Sequence, residues 1–113
     1  VWVFTKKGFF SVVEDRDNKD RVIVRARSIN DIERMAYLLT VEPEITLSAD
    51  YPFRLRCSKE EWATVMQYLA TSIDYDNFKN TIKDDPIRSE CYTRIWAVAQ
   101  MLEETDMNGS VVS

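Results

Sequence analysis

The stretch Arg21-Val22-Ile23-Val24-Arg25-Ala26-Arg27, followed by Ser28-Ile29-Asn30-Asp31-Ile32, decides the fold. Side chains of a strand alternate between two faces. Val22, Val24 and Ala26 therefore share one face, and Ile23, Arg25 and Arg27 share the other. The alternation stops at Ser28. Ser28 and Asp31 have the S-x-x-D spacing of a variant capping box, and Ile29, Ile32, Met35, Ala36 and Leu39 recur at helical spacing. A strand with one apolar face thus feeds a helix whose apolar stripe packs on a sheet.

Upstream, Trp2–Thr5 and Gly8–Val13 are aromatic and β-branched, as strands require, and Lys6-Lys7-Gly8 turns the chain between them. The polar cluster Glu14–Asp20 reads as a loop closing an antiparallel hairpin onto Arg21–Arg27. Downstream, Ile45–Ser48 and Tyr51–Cys57 read as two further strands around Ala49-Asp50. In the second, the alternation puts Tyr51, Phe53, Leu55 and Cys57 on one side and Arg54 and Arg56 on the other.

The rest reads as helical. Ser58 and Glu61 form an S-x-x-E capping box ahead of the stripe Trp62, Val65, Met66, Leu69 and Ile73. Asp76 is placed to cap a short helix carrying Phe78 and Ile82. Asp85-Pro86 starts a last helix, a cap residue before proline at the first helical position, with the stripe Ile87, Cys91, Ile95, Val98, Ala99 and Leu102. Asn108-Gly109 ends it, and fraying is expected at Val111–Ser113. The order predicts an α+β fold: an antiparallel sheet of four or five strands with three or four helices packed on one face. It is not a clean βαββαβ arrangement. One domain over residues 1–113 is expected, mostly strands with one helix over 1–57 and helical over 58–108.

Composition narrows the chemistry. The 113 residues include no histidine, which removes imidazole acid–base catalysis, Ser-His-Asp and Cys-His nucleophiles, and His-containing zinc sites. Cys57 and Cys91 form no CxxC pair and read as core residues of a reducing compartment. Gly8 and Gly109 cannot build a phosphate loop. The chain shows no basic-then-apolar leader and no run of apolar residues long enough to span a membrane, so a cytoplasmic protein is expected. Residues 1–57 carry ten Lys and Arg against nine Asp and Glu, net +1, whereas residues 58–113 carry five against ten, net −5. The acidic balance disfavours direct nucleic-acid binding and permits docking to another protein.

The blocks Trp-Val-Phe-Thr, Gly-Phe-Phe-Ser-Val-Val, Val-Arg-Ala-Arg, Ala-Asp-Tyr-Pro-Phe-Arg at 49–54, Ile-Asp-Tyr-Asp-Asn-Phe-Lys at 73–79 and Arg-Ile-Trp-Ala-Val at 94–98 resemble a family of small bacterial and phage-type proteins. The resemblance runs to about Met101 and implies a stand-alone cytosolic protein. It carries no catalytic residues to this chain.

Four arginines are the first candidate site. If their strands share a sheet, Arg25, Arg27, Arg54 and Arg56 gather on its open face, where guanidinium forks suit phosphate or carboxylate. The alternative is a solvated face with each arginine paired to an acid. Phe9 and Phe10 point to opposite faces, so an exposed Phe9 joins the arginines as a contact residue. Glu60, Glu61, Glu103 and Glu104 are the acidic counterpart, able to meet a basic partner or mimic DNA charge.

Asp74 and Asp76 suit a divalent cation or acid–base pair, and equally suit helix punctuation. The run Asp15–Asp20 has alternating acids without the glycine or final glutamate of a calcium loop. No cofactor and no metal are expected. The function expected is non-enzymatic binding to another protein, in one version as a phage or mobile-element inhibitor of a bacterial defence system, anti-CRISPR-like. The alternatives are a sponge or sensor for a small anionic ligand such as a nucleotide and, behind it, a metal-dependent hydrolase using Asp74 and Asp76.

Overall fold

The computed structural model describes the backbone of residues 1–109 and the side chains of residues 1–104, so the fraying expected at Val111–Ser113 lies outside the described residues. The chain divides into two compact units, Val1–Asp74 and Tyr75–Ser113.

The first unit is an antiparallel five-stranded sheet with two helices. The strands are β1 Trp2–Thr5, β2 Gly8–Asp15, β3 Asn18–Ala26, β4 Glu44–Ile45 and β5 Phe53–Ser58. They lie in the order β1-β2-β3-β5-β4. Helices α1, Ile29–Leu39, and α2, Lys59–Thr71, sit on one face. The α+β reading holds, with one core: Phe10, Val12, Val22, Val24, Ala26, Leu55 and Cys57 from the sheet meet Ile32 and Met35 of α1 and Trp62 and Val65 of α2. Burying such side chains is the main stabilising contribution, roughly 1.5–3 kcal/mol for each large one.

Local departures have physical causes. The β2–β3 connection is tighter than the polar stretch suggests. Asp15 pairs with Asn18 across Arg16-Asp17, and a bulge lies between Glu14 and Asp15. Asp15 Oδ1 accepts from Asp17 N–H at 2.9 Å and Asn18 Oδ1 from Asp20 N–H at 3.0 Å, so side chains that read as loop formers hold the hairpin end. β4 is cut to Glu44–Ile45, the edge of the sheet. Ser28 occupies the cap position of α1 but makes no capping hydrogen bond. Its expected partner Asp31 is buried and accepts from Phe9 N–H at 3.0 Å, tying α1 to β2. The Ser58–Glu61 box forms in both directions: Glu61 N–H donates to Ser58 Oγ at 3.0 Å and Ser58 N–H to Glu61 Oε1 at 2.9 Å.

The second unit holds a short 3-10 helix, Phe78–Thr81, and helix α3, Pro86–Gly109. Asn77, not Asp76, occupies the cap position of the 3-10 helix. Asp85 caps α3 as expected, accepting from Arg88 N–H at 3.2 Å. Phe78 stacks on Tyr92 at 5.9 Å between centroids, with Ile82 and Tyr92 buried. The α3 stripe does not behave as a core stripe: Cys91, Ile95, Val98 and Leu102 are exposed, Leu102 at 71%. No helix among the described residues is long and apolar enough to cross a membrane.

Candidate functional site

The face of the sheet away from α1 and α2 carries the arginines. Strand register places Arg25 of β3 directly opposite Arg54 of β5, and Ile23 opposite Arg56. On the other side Ser11 of β2 pairs with Arg25. Arg27 follows β3 and donates from Nη1 to Asp50 O at 3.0 Å. The alternation of both strands thus brings Arg25, Arg54 and Arg56 to one pleated surface, with Arg27 next to it.

The arginines differ in how their charge is met. Arg56 is neutralised, donating from Nη1 to Asp15 Oδ2 at 2.8 Å and from Nε to Glu44 Oε2 at 3.0 Å. Arg25, Arg27 and Arg54 make no ion pair with any described carboxylate. Their hydrogen bonds go to neutral oxygens. Arg25 donates to Ser11 Oγ at 2.6 Å and Ser11 O at 3.3 Å, and Arg54 to Tyr51 O at 3.2 Å.

Asp15 is the carboxylate held most firmly on this face, 5% exposed. The amide of Asp17, then the Arg56 guanidinium, hold it below the usual carboxylate range against the opposing effect of burial. The same contact, with Glu44, raises Arg56.

Aromatic rings flank the cations. Phe9 stacks on Phe4 at 4.4 Å, meets Trp2 edge-on at 6.2 Å and lies 6.4 Å from Tyr51. The guanidinium carbons of Arg25 and Arg27 both sit 4.6 Å from the Tyr51 ring centroid. Tyr51 corrects the sequence reading, which put it on the core side. Pro52 intervenes, β5 starts only at Phe53, and the ring turns to the arginine side. Phe9 and Phe10 do separate: Phe10 is buried, while Phe9 is half-buried on the arginine face. Trp2 is 67% exposed, so it adds an uncovered indole rather than core area. Ser11 and Tyr51 were not among the side chains expected at this site. Alternation along β2, which puts Ser11 on the same face as Phe9, is the signal that would have found the serine.

No family model, curated protein or solved structure matches the chain. The function must therefore be argued from these side chains.

The other candidates are more dispersed. Glu61 is used by the α2 capping box, Glu60 is exposed beside it, and Glu103 and Glu104 are exposed on α3 in the second unit. Among the described residues no group of three or more His, Cys, Asp or Glu side chains is placed to hold a metal ion. Both cysteines are free. Cys57 is buried, with burial raising its thiol pKa, whereas Cys91 is exposed and not the core residue expected.

Proposed function

We propose that the protein is a non-enzymatic binding module that grips an acidic protein partner with the open face of its sheet. The observation that supports this is the group of three arginines, Arg25, Arg27 and Arg54, without a partner among the described carboxylates, set beside Tyr51, Phe9 and the exposed Trp2. Gathering unneutralised cations costs electrostatic free energy in the free protein, and an acidic surface recovers it on docking. Arginine and large aromatics are also the side chains that dominate protein interfaces, because they combine area, rigidity and directed donors.

On this reading the protein acts in the cytoplasm by occupying its partner's surface. An inhibitor of a bacterial defence complex is one such role, with which the small size of the chain is compatible. The test is affinity capture followed by measurement of Kd on the purified partner. Trp2→Ala and Arg27→Glu weaken binding by at least about tenfold each, with a steep loss at raised salt. Lys reversal of Glu60, Glu61, Glu103 and Glu104 leaves binding intact. Binding that survives the first two variants, or is lost with the acidic four, refutes the proposal.

A further inference from the structure

A row of paired residues crosses four strands of the open face: Ser11, Arg25, Arg54 and Glu44. Side chains directly opposite in such a row are close neighbours, about 4.5–5.5 Å apart at Cβ, and like charges there repel. Glu44 could relieve Arg54 but gives its Oε2 to Arg56 Nε. Neutral oxygens hold Arg25 through Nε and Nη2 and Arg54 through Nε. The stems are therefore fixed. Among the described residues, Arg25 Nη1 and both terminal nitrogens of Arg54 have no protein acceptor.

Both arginines line a concavity of about 570 Å³ between the β2–β3 turn and β5, with Val13 and Ile23 also in its wall. The acids around it are largely committed. Asp15 serves Arg56, and Glu14 takes Lys59 Nζ at 2.8 Å, while Arg16 and Asp17 add one charge of each sign at the turn.

We infer that a doubly charged oxyanion of the phosphoryl class seats between Arg25 and Arg54. The inference rests on the reading of this face as a charged docking surface and names the group it takes. Two guanidiniums match a dianion in charge, and the two terminal nitrogens of Arg54 with Nη1 of Arg25 offer N–H donors to its oxygens. The concavity is larger than the ion, so a phosphate monoester fits, either a free small molecule or a phosphorylated side chain of the partner.

The experiment titrates inorganic phosphate, AMP and a short phosphoserine peptide into the full chain, with chloride at matched ionic strength as reference. Melting temperature and the Arg Nε–H resonances are followed. The melting temperature of the wild type rises and the Arg25 and Arg54 resonances move. Arg25→Gln and Arg54→Gln each lower affinity by at least about tenfold, whereas Arg27→Gln does not. A rise of equal size in the wild type and both Gln variants is general exclusion of phosphate from protein surface and overturns the seat. So does the absence of any shift. Tighter binding of AMP or of the peptide supports the seat and identifies its source. Phosphate binding alongside capture that ignores Trp2→Ala and Arg27→Glu removes the docking reading alone. Capture that depends on those residues without phosphate binding removes the seat alone.

Discussion

Asp15 and Arg56 join the two halves of the open sheet face across 41 residues of sequence, through a 2.8 Å hydrogen bond from Arg56 Nη1 to Asp15 Oδ2. Asp15 ends β2 at the bulge, so the contact also fixes where the β2–β3 turn sits over β5. The arginine that is neutralised internally thereby becomes scaffold, whereas its neighbours Arg25 and Arg54 meet no described carboxylate.

This contact makes stability depend on pH in a stated direction. The folded carboxyl of Asp15 lies below its ordinary value, because the Asp17 amide and Arg56 favour the ionised form. Its contribution is complete above the ordinary carboxylate pKa and is lost as pH falls through the folded value. Urea midpoints measured from about pH 7 down to pH 2 should fall along that course in the wild type. Asp15→Asn should be less stable at neutral pH and show a shallower acid slope. An unchanged slope in Asp15→Asn contradicts the assignment.

The α2 capping box should be measurable on its own. Ser58→Ala leaves the Glu61 amide without its acceptor and lowers stability by ~1 kcal/mol. Because the Ser58 backbone and side-chain contacts also hold Glu61 below its ordinary value, the same variant should weaken the acid dependence of stability. Denaturant midpoints at neutral and acid pH check both effects.

Gly8 is required by close approach rather than by a special turn. A Cβ there would stand 2.6 Å from the ring of Phe10 and 3.1 Å from Asp31 Cγ. Phe10 is in the core and Asp31 is bound to Phe9 N–H, so neither can easily yield. Gly8→Ala should cost about 1–3 kcal/mol as an overpacking change. A melting temperature equal to the wild type's would show that the β1–β2 hairpin shifts freely.

Much of this architecture was legible, and the failures share a cause. Strict alternation in Val22–Arg27 and Phe53–Cys57 gives the two faces correctly, because the core on one side permits no register slip. Alternation fails at Tyr51, where Pro52 interrupts the strand and sends the ring to the cations. Asp31 has a capping spacing, but local spacing does not reveal a more distant use: Asp31 is taken by the Phe9 amide, twenty-two positions away. Which arginines remain unpaired was not legible either, since it depends on Asp15 and Glu44 meeting Arg56 across strands.

The two thiols should separate kinetically. Cys57 is fully buried in the core with its pKa raised by burial, and Cys91 is exposed on α3. Since the thiolate is the reactive species, a disulfide reagent should label Cys91 quickly in the native protein and reach Cys57 only at the rate of opening. Two equally fast thiols would mean that the β5 layer is not closed by α2.

Thr40 ends α1 in the left-handed region, φ 55° and ψ 49°, with its N–H donating to Ala36 O. A β-branched side chain is poorly suited to that conformation, where glycine carries no Cβ penalty. The cost of the left-handed backbone is of the order of 1 kcal/mol, partly offset by the larger unfolded-state entropy of glycine. Thr40→Gly should therefore be at least as stable as the wild type, by up to about 1 kcal/mol at the urea midpoint. Thr40→Val keeps the branching and should bring no gain. If Thr40→Gly is instead clearly destabilising, the threonine side chain holds the α1 terminus by a contact worth more than the backbone strain it imposes.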